Sequence, residues 1–427
     1  MEGCRGANPE RAAPGSGARR AGDGGGRAEA RRRGGRVEVR SLEPYVEPWT
    51  AARSFLCLAV KSKRTGAECA TLRRLHDQLG GDGAAQLAAD HRAEPIVAHG
   101  LSDAGIGGAP WEEWHEASRG RLGRMMSLLD EIAARAGTLG IPVVALKNGA
   151  IARALHPCPA CVPMGDLDLL VPRRDFVRMH EALTALGFAV VTGGARAAGV
   201  EEGLAEGGTD YALSAGGETY AIDLQWRAVS GRWLRADQEP SADELIARSI
   251  VMPGTVARML APVDNLVQVA LHTAKHSYCR PPGFRLHLDV DRVVHGTEID
   301  WDAVVEMVRR LGVDTGVFLS LSVPRGLFGT PVPDRVLREL APAPARRAML
   351  YSWLRSVSVF EPEHPKFSRA TQLAFHLALA DGPGSVWRTF FPPAAEMRDR
   401  HGVSGGRGAL LLSYGRRLAD VVLRYQH

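Results

Sequence analysis

The chain has 427 residues, 45% of them hydrophobic, and a formal net charge of +5. That length sets a prior of two or three domains, with ample apolar content for their cores. No stretch of about 18 apolar residues occurs and no apolar leader opens the chain, which argues against a membrane span or membrane partner and for a cytoplasmic protein.

Residues 1–40 are rich in Gly, Arg and Ala, with Arg31-Arg32-Arg33 and Arg36 supplying much of the positive charge. Such a segment has almost nothing to bury and predicts a disordered tail. A basic arm can touch nucleic acid, but a solvated arm is the favoured reading. Residues 41–140 predict a helical N-terminal region: Ala67 to Leu79 and Arg121 to Leu139 carry helix-spaced apolar residues, and Gly140 closes the second.

Residues 141–256 change character. Ile141 to Leu146 reads as a short buried strand, followed by Lys147-Asn148-Gly149-Ala150 and a helical stretch from Ile151 to Leu155. A strand that breaks at Gly into a helix offers free N–H groups and a positive dipole end, which suits a phosphate. Lys147 adds charge in a chain with only five lysines: Lys61, Lys63, Lys147, Lys275 and Lys366.

Met164-Gly165-Asp166-Leu167-Asp168-Leu169-Leu170-Val171 then reads as a strand. Alternation places Asp166 and Asp168 on one face, Leu167 and Leu169 on the other. Neighbouring carboxylates repel unless a cation sits between them, and Mg²⁺ is the usual occupant. The alternative is a surface strand with two solvated acids. A helix from Arg174 to Leu186 ends at Gly187, and Phe188 to Val191 restarts as a strand. A hairpin follows, with Tyr211 to Leu213 and Tyr220 to Trp226 flanking Gly216-Gly217. Tyr220, Ile222, Leu224 and Trp226 share its apolar face, so Asp223 lies on the opposite one. Three carboxylates on non-core faces suit two metal ions and an attacking hydroxyl.

That order of strand, Gly-containing turn, helix, Asp-x-Asp strand and later Asp strand resembles the DNA polymerase β-like nucleotidyltransferase superfamily. More narrowly, the chain resembles its bacterial uncharacterised nucleotidyltransferase family, from about residue 90 to the C-terminus. The motifs are Leu146-Lys147-Asn148-Gly149, Pro163 to Val171, Ile222-Asp223-Leu224-Gln225-Trp226 and Leu271-His272-Thr273-Ala274-Lys275-His276, with Ile299 to Asp302 and Phe390-Phe391-Pro392 beyond. The departures are Asn148 between Lys and Gly, no Gly-Ser at the phosphate turn, Val162 in place of Arg and Gln225 in place of His; none removes a carboxylate.

The resemblance implies an α+β fold, a small mixed-sheet core between helical N- and C-terminal regions. It also implies two-metal transfer of a nucleoside monophosphate, or related phosphoryl group, from an NTP to an acceptor hydroxyl. Asp166, Asp168 and Asp223 would hold two Mg²⁺ ions. Lys147, Asn148 and Gly149 would cradle the phosphates, with ATP the expected donor and a peptide or small molecule the acceptor. Other readings are an RNA-acting, toxin-like transferase and a non-catalytic nucleotide-binding module; nucleic acid is the less favoured partner.

Residues 257–427 predict helices: Asn265 to Ser277, Leu286 to His295, Trp301 to Leu311, Thr315 to Leu327, Arg369 to Leu379 and Leu410 to Arg424, with Pro-rich joints between some. His272, Lys275 and His276 share one helix face. Zinc is disfavoured there because Thr273 stands where a metalloprotease motif has Glu. The open choices are Lys275 and His276 as triphosphate contacts, or a polar contact between helices. Asp289 and Asp291 sit in helical spacing, where a salt bridge to Lys275 or Arg292 would account for them.

Six cysteines, Cys4, Cys57, Cys69, Cys158, Cys161 and Cys279, are scattered in a chain without a secretory leader, which predicts reduced thiols. Cys158 and Cys161 form a lone C-x-x-C. Structural zinc needs two further ligands at sensible spacing and a redox pair normally opens a helix, so a loop leading to Asp166 is expected.

Overall fold

A single seven-stranded mixed sheet runs β3-β4-β5-β2-β1-β7-β6 in the computed structural model, which describes residues 44–156, 158–191, 199–229, 234, 238–276, 283–362, 368–394, 397–398 and 406–423. The strands are β1 (Val144–Ala145), β2 (Asp166–Leu170), β3 (Ala189–Val190), β4 (Gly208–Ala215), β5 (Glu218–Gln225), β6 (Ile250–Val251) and β7 (Arg258–Met259). The centre is the parallel pair β2–β5, with β1 antiparallel to β2 and β4 antiparallel to β5. With helices around one sheet, the fold is α+β.

Five helices precede the sheet: α1 (Ala51–Val60), α2 (Gly66–Leu79), α3 (Gly81–Asp90), α4 (Glu94–Asp103) and α5 (Trp111–Thr138). A capping box starts α2, Thr65 accepting from the Glu68 N–H while Glu68 returns to the Thr65 N–H, a pairing that satisfies two otherwise orphaned donors. Between the strands lie α6 (Lys147–Ala150), α7 (Phe176–Ala185), α8 (Val200–Glu206) and α9 (Ala242–Arg248). Helices α10 (Pro262–His276), α11 (Phe284–Gly296), α12 (Trp301–Leu311) and α13 (Asp314–Phe328) follow. Then come α14 (Asp334–Leu340), α15 (Pro344–Val357), α16 (Arg369–Leu379), α17 (Pro383–Phe390) and α18 (Arg407–Leu423). Asp300 caps α12 by accepting from the Asp302 and Ala303 N–H groups, which places the Ile299–Asp302 motif at a helix start.

The sheet's two faces differ. Leu167, Leu169, Ile222 and Leu224 point into the main apolar cluster, which extends from Tyr45 to Leu379. Burying each such Leu or Ile stabilises by roughly 1.5–3 kcal/mol. The opposite face carries the Asp residues and, beside them, a small cluster of Val144, Leu146, Leu170, Ala228, Leu245 and Leu260.

Two elements depart from expectation. The strand predicted over Ile141 to Leu146 is β1, Val144–Ala145, because Pro142 has no N–H to give a ladder. Pairing still extends past its ends through Arg258 N–H to Val143 O and Leu146 N–H to Asp168 O, each 2.9 Å. The stretch from Ile151 to Leu155 is helical as expected, but as a π-helix rather than an α-helix, closed by His156 N–H on Ile151 O at 2.9 Å. Asp289 and Asp291 do sit in a helix, α11. Asp289 pairs with Arg292 at 3.2 Å, while Asp291 accepts from Ser62 (2.8 Å) and Thr330 (2.6 Å). The basic N-terminal tail, Cys4 and Cys279 lie outside the described residues, among which no helix is long and apolar enough to cross a membrane.

Candidate active site

The parallel register sets Asp168 directly beside Asp223 and Asp166 beside Ala221. Because in-register neighbours point to the same side of a sheet, Asp166, Asp168 and Asp223 occupy one face. Asp168 and Asp223 are each only 6% exposed, whereas Asp166 at the strand's start is exposed. Antiparallel pairing adds a residue that the motif reading passed over: Asp210 of β4 stands opposite Asp223 on the same face. Its sequence signal was alternation on β4, where Tyr211 goes to the core.

Two buried carboxylates side by side are unfavourable without compensation. Gln225 bridges them: its Nε2 donates to Asp168 Oδ1 at 2.7 Å and to Asp223 Oδ2 at 2.9 Å. Lys147 makes a salt bridge to the same Asp168 Oδ1. Burial works against the lysine's charge, but Asp168, Asp223 and Asp166 together outweigh it and hold the pKa above the ordinary lysine value. The ammonium therefore occupies the position where a cation would neutralise the acids. One ammonium against four formal carboxylate charges, Asp210 included, still leaves the face acidic.

Lys147 also has a left-handed backbone, φ +49°, a conformation uncommon for a residue with a side chain and concentrated at ligand sites. It lies at the junction of β1 and α6, and this sharp turn is what swings the side chain toward the Asp face. Gly149 packs over the apolar side, where an added Cβ would meet Ala145 Cβ and Leu167 Cδ2 at an ordinary 3.5 Å. Asn148 Oδ1 is buried without a hydrogen-bond partner among the described residues. Across the site, burial pushes the Asp289 carboxyl up, and Arg292, Arg285 and Lys147 each offset part of that effect; α11 thus borders the Lys147 side.

A family profile described as "Uncharacterised nucleotidyltransferase" matches residues 79–329, more than half of the chain. The chain belongs to that family. Among curated proteins and among solved structures, none matches. The matched span starts at the last residue of α2 and ends just after α13, so it contains the whole sheet and every candidate site residue; it starts before and ends well short of the stretch expected from sequence.

In this chain Lys275 and His276 sit at the C-terminal end of α10. Lys275 Nζ donates to Val229 O at 3.1 Å, on the segment that follows β5, and the His276 ring packs edge-on against His272 with centroids 4.8 Å apart. Behind Lys275 lies His376 of α16, its pKa pushed down to about 4 by burial first and then by the Lys275 charge. The contacts that define the Asp face come instead from Lys147 and Gln225. Gln225 stood out in the sequence only as a replacement for the expected His; its bridging role emerges from the β2–β5 register.

Proposed function

We propose that this nucleotidyltransferase moves a nucleoside monophosphate, or a related phosphoryl group, from a Mg²⁺-bound NTP, with ATP the expected donor, to an acceptor hydroxyl. The observation that carries the reading is the adjacent, buried Asp168–Asp223 pair, compensated by one lysine and one amide in a family of nucleotidyltransferases. The donor set fits magnesium: hard carboxylate oxygens, one of them exposed at the strand's start. Asp166, Asp168 and Asp223 would hold the metal, with Asp210 at the margin.

Bound Mg²⁺ would supply charge neutralisation for the phosphates and acidify the acceptor hydroxyl. The chain's own groups do the rest. Gln225 fixes the rotamers of Asp168 and Asp223, so the carboxylates are aimed before substrate arrives. Lys147 shields the acids in the free protein. With Mg²⁺ held by the acids, the Lys147 ammonium would be free to contact the triphosphate and offset charge on the departing pyrophosphate. Asn148 sits next to it, and its Nδ2 amide, the end that can donate, would give a further phosphate contact.

The test is incubation of the purified protein with each labelled NTP, Mg²⁺ and cell extract, with peptide, small-molecule and RNA fractions analysed separately. Label transfer that requires Mg²⁺ and is lost in Asp168→Asn supports the reading. Mg²⁺-independent NTP binding without any transfer would instead identify a nucleotide-binding module.

A further inference from the structure

The Cys158–Cys161 pair gains in three dimensions the two ligands it lacks in sequence. His99 on α4, His115 on α5, Cys158 and Cys161 bring four ligand atoms within 4.8 Å of one another. His115 Nε2 is 3.2 Å from Cys158 Sγ and 3.8 Å from Cys161 Sγ. The His99 and His115 rings stack at 6.0 Å with 17° between planes. We propose that these four side chains form a structural zinc site of the Cys₂His₂ type, separate from the carboxylate face.

The distances suit that ion. Ligands on a tetrahedral zinc, at about 2.0–2.3 Å from it, lie roughly 3.3–3.8 Å from one another. The two sulfurs, 2.9 Å apart, stand beyond the roughly 2.05 Å of a disulfide and have to open somewhat around a metal. Two histidines converging on the same point distinguish the quartet from a simple dithiol, which needs neither. All four residues are wholly or partly buried, as in closed structural sites.

The surroundings favour a bound cation. Asp103 Oδ2, which pairs with Arg64, lies 4.0 Å from His99 Nε2, a negative charge near the quartet though beyond hydrogen-bond reach. The thiolate is the form that binds metal. Metal binding through His115 Nε2 requires the proton on Nδ1. Arg119, which contacts Nδ1 at 3.3 Å, is 62% exposed and can keep its ion pair with Glu116 instead.

The loop is also held from outside. Ser118 donates to Ala160 O at 2.7 Å, and Arg292 donates to Cys161 O at 2.6 Å. Five residues after Cys161 comes Asp166, so an ion here would clamp α4 and α5 to the segment that enters the Asp strand. Its role would be stability and positioning of β2, not transfer chemistry.

The experiment uses the full chain purified without chelator under reducing conditions, with bound metal measured by mass spectrometry. About one zinc per chain is expected, retained in Asp168→Asn and lost in Cys158→Ser/Cys161→Ser. His115→Gln should lower zinc affinity by roughly tenfold or more. If the double variant fails to fold, the wild type decides: Co²⁺ in place of zinc should give the intense ligand-field bands of tetrahedral cobalt with a thiolate charge-transfer band. The proposal fails if reduced wild type takes up no zinc against a chromophoric chelator. It fails equally if bound Co²⁺ shows no thiolate band, or if the cysteines form a disulfide whose reduction opens no uptake. None of these outcomes depends on transfer activity.

Discussion

As proposed, the carboxylate face and the His/Cys quartet are two answers to the problem of holding a cation. On the sheet, hard oxygen donors come from adjacent strands in register, one of them exposed, and a lysine already shields them. At the loop, soft sulfur and imidazole donors come from two helices and a turn, one of them buried and three partly buried. Hard donors with an open side suit an ion that exchanges along with its nucleotide; soft donors in a closed shell suit an ion that stays. The comparison teaches that donor chemistry and openness together, more than the number of ligands, separate a working site from a structural one.

The strongest way to break this contrast is at the acids. Asp168→Asn and Asp223→Asn keep the shape but remove a charge, and nucleotide transfer should fall roughly a hundredfold or more while zinc content stays unchanged. Near-normal transfer in either variant would make the carboxylates structural. Conversely, stripping zinc with a chelator that leaves Mg²⁺ in excess should lower the thermal midpoint of wild type and leave that of Cys158→Ser/Cys161→Ser unmoved.

Lys147 sharpens the contrast next. Lys147→Ala should weaken binding of a non-hydrolysable NTP, with Mg²⁺ present, by roughly 1–3 kcal/mol for a lost charge-assisted contact. Lys147→Arg should recover only part of that, since a planar group must follow the same left-handed turn. Calorimetric titration of both variants checks it; unchanged affinity in Lys147→Ala would confine the residue to shielding Asp168.

A smaller effect is expected at Gln225. Gln225→Ala removes the amide that holds Asp168 and Asp223 together, at a cost to stability of about 1–3 kcal/mol in Mg²⁺-free buffer. Mg²⁺ should restore part of the loss, because it supplies the missing compensation. Denaturant unfolding with and without the ion reads this, and an equal loss in both conditions would mean that no cation shares those two acids.

A last effect lies outside the carboxylate face and the His/Cys quartet and serves as a control for acid titrations. His376 has a folded-state pKa near 4 against an ordinary 6.5. Within that window the unfolded chain binds a proton that the native chain refuses, so stability is full above the upper value and falls as pH drops toward the lower one. The contribution is at most roughly 3 kcal/mol. His376→Gln should flatten this part of the pH–stability curve without changing zinc content.

Local chemistry alone determined a good deal. Alternation in Asp166–Leu170 and in Glu218–Gln225 assigned three acids to non-core faces, and 3.6-residue periodicity located α10 to α13 within a few residues, because both patterns are written in neighbouring positions. Asp300 at the start of α12 and the capping box at Thr65 are equally local. What only the tertiary structure decided is who stands beside whom. Register placed Asp210 opposite Asp223 and Gln225 between the two buried acids, and a left-handed turn sent Lys147 to Asp168. His99 and His115 reached the Cys pair from two separate helices. Such contacts join residues tens of positions apart through the packing of α4, α5 and the sheet, and no periodicity of 2 or 3.6 residues carries that distance.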